Sequence, residues 1–197
     1  MSNDSIRSFI AIHLPPIVKN KISTYIENLK KISDDVRWIK AENIHLTLKF
    51  LGEIEAKRVD LVKKNLYSLS DQFSPFYLKI SDSGCFPGKK RPRVFWLGME
   101  QGKENPLFSI HRWIEEQLLK LAFEKEKRRF SPHLTLGRVR TKQPVDFADL
   151  FIFLEQNPFI PVEFQVDEIF LMQSFLKPTG AEYRNIENYP LKLKSSS

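Results

Sequence analysis

Ile44-His45-Leu46-Thr47-Leu48-Lys49-Phe50-Leu51 reads as a β-strand, and its centre returns far along the chain as His133-Leu134-Thr135-Leu136. In a strand, alternate side chains share a face. Each copy therefore presents an imidazole and a hydroxyl side by side while its leucines point into a core. With four histidines and five threonines in the chain, a His followed two residues later by Thr should arise about 0.1 times by chance. Two copies with matching leucines are not an accident of composition. Facing each other, they would place two acid–base groups and two hydroxyl donors around one small cavity.

Working outward, Ile6 to Leu14 is a strand stopped by Pro15-Pro16, a pair suited to the first turn of a helix. Val18, Ile22, Tyr25, Ile26 and Leu29 then recur at helical spacing. Val36 to Ile39 is a short strand before the first repeat. Val59, Val62, Leu66 and Leu69 mark a second helix, and Leu107, Ile110, Ile114, Leu118 and Leu121 a third. Further strands are expected over Phe76–Ser81, Arg93–Leu97, His133–Val139, Val162–Leu176 and Tyr183–Leu193, with a short helix over Asp146–Gln156 and a turn around Pro178-Thr179-Gly180. Gly84 to Pro92 reads as a basic loop. Strands and helices intermix without the regular alternation of a doubly wound fold, so an α+β architecture with largely antiparallel sheet is expected. No linker separates independent domains: residues 1–197 read as one domain, with 192–197 a flexible tail.

The composition, 42% hydrophobic and 28% charged, is that of a globular chain with a real core. A net charge of +7 favours polyanionic partners without identifying one. The lone cysteine, Cys85, excludes an intramolecular disulfide and a cysteine zinc site, and fits a reducing cytoplasm. The start of the chain lacks the basic region and cleavage site of a signal peptide, and no apolar stretch is long enough to span a bilayer.

Phosphodiester cleavage needs a base to activate water, an acid for the departing oxygen, and donors for the phosphoryl oxygens. The paired motifs contain that inventory, and histidine serves as acid or base near neutral pH. No metal is expected, because two histidines on separate strands supply two ligands and neither copy has a carboxylate or cysteine at ligand spacing. No cofactor is implied. His13 and His111 lack a Thr two residues on and read as structural or exposed.

The paired motifs resemble those of the two-histidine (2H) phosphoesterases, and more closely the bacterial and archaeal RNA 2′,3′-cyclic phosphodiesterases, also called 2′–5′ RNA ligase-like proteins. The resemblance runs through Arg7–Ile12, Trp38–Gly52, Phe86-Pro87, Arg91–Gly98 and Phe130–Arg138, and reaches Ser174, Gly180 and Tyr183 of a final hairpin. It implies a bilobal fold of two largely antiparallel sheets flanked by helices, with pseudo-twofold symmetry about a central cleft. It further implies His45 as proton donor, His133 as proton acceptor, Thr47 and Thr135 as phosphate binders, and Arg138 as a basic group near the phosphate. RNA with 2′,3′-cyclic phosphate ends is the implied substrate. The chain itself is expected to be a cytoplasmic monomer. His13 departs from the Asp or Asn that relatives often carry there. Lys89, Lys90, Arg91 and Arg93 are candidates to grip the RNA backbone, and Phe9 a candidate to stack on a base, against a core role for that ring. Two other readings compete: the same site joining RNA ends through a 2′–5′ linkage, and a module that binds RNA ends or nucleotides without turnover. Two titratable groups in matched copies argue against binding alone, and no Walker-type glycine loop supplies an activated intermediate.

Overall fold

The computed structural model describes residues 5–100, 105–177 and 180–193. Its elements run β1 (Ser5–His13), α1 (Pro16–Lys30), β2 (Val36–Trp38), β3 (His45–Glu55), α2 (Ala56–Leu66), α3 (Leu69–Gln72), β4 (Phe76–Phe86), β5 (Val94–Met99), α4 (Pro106–Leu119), β6 (His133–Val139), α5 (Ala148–Gln156), β7 (Val162–Val166), β8 (Glu168–Lys177) and β9 (Gly180–Pro190). Pro16 and Pro106 occupy the first turns of α1 and α4, where a missing N–H is harmless. The Asn105 side chain caps α4 by accepting from Leu107 N–H.

The fold is α+β and bilobal, as expected, and the strands pair antiparallel. One half is ordered β3-β1-β8-β9 and the other β6-β5-β4-β7, with β2 beside β6. The two sheets are joined rather than separate: Leu46 of β3 faces Leu134 of β6 in a single pair. The halves correspond by chain order too, since β1-α1-β3 and β5-α4-β6 are each strand, helix and motif-bearing strand. Helix α1 buries Val18, Ile22, Ile26 and Leu29, and α4 buries Leu107, Ile110, Ile114 and Leu118, in a core shared with Leu46 and Leu134. Among the described residues no helix is long and apolar enough to cross a membrane.

Three element readings are corrected. Strand β4 continues to Phe86, so Gly84 and Cys85 lie in a strand paired with Trp96 and Phe95 rather than in a loop. Gly84 lies there because Trp96 covers it: a Cβ would collide with the indole. The strand expected over Val162–Leu176 is two strands broken at Asp167, and Leu69 belongs to the separate α3. Pro178 and Thr179 of the expected turn, and residues 194–197 of the expected tail, lie outside the described residues.

Candidate active site

The single pair Leu46–Leu134 sets the geometry of the site. Antiparallel partners keep a constant sum of positions, so His45 falls across from Thr135 and Thr47 across from His133. The two leucines are fully buried beneath, and the four polar side chains occupy the opposite face. Ala11 faces Thr47 in β1, and Trp96 faces Thr135 in β5.

Each imidazole is tethered in the same way. His45 Nδ1 lies 2.8 Å from the Asn43 carbonyl oxygen, and His133 Nδ1 lies 2.7 Å from that of Ser131. A carbonyl only accepts, so Nδ1 carries the hydrogen in both rings. Each Nε2 is thereby left to the cleft as the group that can exchange a proton. Asn43 is itself held to the last hairpin, its side chain donating to the Ala181 carbonyl at 3.0 Å.

The surroundings of the two rings differ. His45 stacks on Phe9, centroids 4.7 Å apart, and meets Tyr183 edge-on at 4.9 Å. This apolar bed desolvates the imidazolium and lowers its pKa from 6.5 to about 4; the Asn43 carbonyl opposes the fall, and His13 and Lys19 add to it. The His133 ring meets Phe86 edge-on at 5.0 Å. Burial raises the Tyr183 phenol above its usual range, and the charges of Arg138 and Arg7 oppose that rise.

The approach to His133 is pinned by a buried polar network. Lys49 Nζ, from β3, is 2.8 Å from Glu115 Oε1 and donates to the Glu124 carbonyl at 2.7 Å. Glu126 N–H donates to Glu115 Oε2 at 3.2 Å. His111 stacks on Phe130 at 3.9 Å and lies 3.8 Å from Glu115. His111 is therefore structural, as read. His13 faces His45 in the β1–β3 register and packs on Phe170 at 4.2 Å.

The structure brings His45, Thr47, His133, Thr135 and Arg138 to one cleft. It does not leave Phe9 open to a base: at 2% exposure the ring is the floor under His45. Lys89 is ion-paired with Glu155 at 2.6 Å, and Arg93 donates to the Thr141 carbonyl. Lys90 and Arg91 are exposed in a groove beyond the strand ends. Sequence reading gave no role to Tyr183, Phe86 or Arg7. Tyr183 and Phe86 lay inside the resembling segments, but only tertiary contact shows which imidazole each one borders.

Among the described residues, no three His, Cys, Asp or Glu side chains gather into a metal-binding group.

Comparison with known proteins finds relatives along nearly the whole chain. The chain is 35% identical over 178 residues to an RNA 2′,3′-cyclic phosphodiesterase of Thermotoga maritima, covering 90% of this chain and 91% of that one. It is 32% identical over 180 residues to a protein of the same name from Archaeoglobus fulgidus, covering 91% and 97%. The crystal structure of E. coli LigT complexed with 3′-AMP superposes with a TM-score of 0.75 at 25% identity, covering 96% of this chain and all of that one. The family model described as LigT like Phosphoesterase matches twice, over residues 12–96 and 97–183, one motif in each segment. With both halves matched and both motifs facing one cleft, the chain belongs to the LigT-like phosphoesterase family.

Proposed function

We propose that the chain hydrolyses RNA 2′,3′-cyclic phosphate ends to 2′-phosphomonoesters by metal-independent acid–base catalysis at His45 and His133. The observation that carries this reading is the matched tethering of the two rings, which frees both Nε2 atoms beside two threonine hydroxyls. The names of the curated relatives support the substrate class, and the 3′-AMP bound by E. coli LigT supports a nucleotide-sized site.

In the proposed step, water attacks the phosphorus and gives a proton to His133 Nε2. The bond from phosphorus to the 3′ oxygen breaks, and that oxygen takes a proton from His45 Nε2. A 2′-phosphate and a 3′-hydroxyl result, and solvent resets the two rings. Thr47, Thr135 and Arg138 hold the phosphoryl oxygens as charge builds on them. His45 is neutral at pH 7 in the free protein, so acting as donor requires the substrate's negative charge to lift its proton affinity. That same low pKa favours a second reading, in which neutral His45 accepts the proton and His133 donates it.

Incubating the protein with a short RNA ending in a cyclic phosphate, in EDTA, tests the proposal. Phosphorus NMR should show a 2′-phosphate. A 3′-phosphate would mean that the substrate lies reversed, an enlarged RNA would indicate end joining, and no conversion would leave a binding module. Activity lost to EDTA and restored by one divalent metal would sink the two-histidine mechanism.

A further inference from the structure

The two motif-bearing strands make two polar rungs on the cleft face: Thr47 stands across from His133, and His45 across from Thr135. A third rung follows them. Arg37 of β2 pairs directly with Arg138 of β6. Strand β5 occupies one edge of β6 from His133 to Arg138, so β3 and β2 share the other edge, β3 at Leu134 and β2 from Gly137 to Val139. The short strand β2 thus takes over along β6 where β3 leaves it, and it adds an arginine to the end of the row.

Both arginines lie on the motif side. On β5, Trp96 faces Thr135 and Val94 faces Arg138. Residues two apart on a strand share a face, so Arg138 lies on the face of Thr135, roughly 7 Å further along. Directly opposed residues of neighbouring strands also share a face, which places Arg37 beside Arg138. The opposite face is taken: Val36 and Trp38, on either side of Arg37, close over Gly137, where a Cβ would collide with both. Val36 and Val139 are buried there in the core, while Arg37 and Arg138 are exposed.

Like charges directly opposite each other in a sheet are destabilising. Neither guanidinium makes a salt bridge among the described residues. An anion held between them would offset the repulsion. Two planar forks side by side suit a group with several phosphoryl oxygens and two negative charges.

We infer that Arg37 is a second phosphate-binding cation of this cleft, which together with Arg138 receives the 2′-phosphomonoester formed in the proposed reaction. The inference rests on the phosphodiesterase reading and deepens it. A cyclic phosphodiester carries one negative charge, which Arg138 meets one for one. Opening the ring leaves a monoester carrying about −1.5 to −2 near pH 7. The added charge appears on the phosphoryl oxygens as the bond to the 3′ oxygen breaks, and Arg37 is the cation beside Arg138 that answers it. Arg37 therefore sets how tightly product is held relative to substrate.

The test is titration calorimetry with two ligands that differ by one charge: adenosine 2′-monophosphate and its methyl ester, a diester. At pH 8 the monoester is fully ionised, its second pKa being about 6. Wild type should then bind it at least roughly tenfold more tightly than the diester. R37A should weaken the monoester by roughly tenfold or more and the diester by less than about threefold. R37K, which keeps the charge and loses the fork, should fall between wild type and R37A. K142A removes an equal charge after the end of β6 and should leave both affinities within about twofold. Melting without ligand checks the fold: R37A loses one of two opposed charges and should melt no lower than wild type. Inorganic phosphate should raise the melting temperature of wild type more than that of R37A. Wild type without a preference for the monoester, or R37A losing monoester and diester equally, would overturn the inference. An effect of R37A confined to oligonucleotides would make Arg37 a contact to backbone phosphates and overturn the monoester assignment. Neither ligand has to be turned over, so the titrations decide Arg37 separately from a cyclic-phosphate assay in which the phosphodiesterase reading fails.

Discussion

The ring of His45 lies on the ring of Phe9, centroids 4.7 Å apart and planes 29° from parallel. Phe9 is buried, so the imidazole rests on a surface that solvates no charge. That contact makes His45 unlike His133, although both rings are tethered in the same way.

The first prediction follows from that desolvation. His45 should titrate near pH 4 by NMR, with Nδ1 carrying the hydrogen at neutral pH. The acidic limb of kcat/KM should include the protonation of His45 near the same pH, since that ring is then charged before substrate binds. Stability should respond as well. The unfolded ring, near 6.5, binds its proton at higher pH than the folded ring, near 4. Stability is therefore full above about 6.5 and falls as pH drops to about 4, by up to roughly 3 kcal/mol from this residue. Urea melts of wild type and His45→Gln across that window measure it; identical pH slopes would show that burial does not control the ring.

The second prediction separates the two histidines. Ala at either position should lower the rate by about two to four orders of magnitude, the range for a positioned acid or base. On a phosphodiester with a nitrophenolate leaving group, which needs little protonation, the variant lacking the acid should be rescued. Rescue of His45→Ala supports His45 as donor. Rescue of His133→Ala supports the exchanged roles that the low pKa of His45 favours.

Threonine is the subject of the third. Losing one hydroxyl that donates to the transition state costs about 3 kcal/mol in well-studied sites. Thr47→Val and Thr135→Val should each reduce kcat by at least roughly tenfold, with circular dichroism and melting point close to wild type. Wild-type rates in both variants would make the hydroxyls structural.

The fourth concerns the network behind His133. Lys49 and Glu115 are each about 8% exposed and 2.8 Å apart. Removing one partner strands a buried charge, so Lys49→Met should cost about 3–5 kcal/mol in urea unfolding. The Lys49→Met/Glu115→Leu pair should cost less than the sum of its singles. Strict additivity would show that the ion pair does not couple the two sites. Because Lys49 also holds the Glu124 carbonyl, the segment leading to His133 should lose hydrogen-exchange protection in the single variant.

Much of the architecture was legible in local sequence, because period-2 and period-3.6 patterns are properties of short segments. The alternation in His45–Leu48 and His133–Leu136 separates side chains that face the core from those that face the cleft, and the repeat picks out the two imidazoles and two hydroxyls that lie there. The prolines at the starts of α1 and α4, and the apolar stripes of both helices, were equally local. Gly84 misled because a glycine under an indole and a glycine in a turn look the same in one dimension.

The rest needed the chain to be folded. The meeting of Leu46 with Leu134 sets His45 across from Thr135, and it joins residues from opposite halves that no short-range pattern connects. Whether Phe9 stacks on a base or lies beneath an imidazole depends on which strand pairs beside it. Desolvation is a sum over everything surrounding a group, so the lowered pKa of His45 comes from Phe9 on β1 and Tyr183 on β9 together. Composition shows that the chain is basic; only tertiary structure decided that Lys89 faces Glu155 while Arg91 and Lys142, distant in the chain, line one cavity.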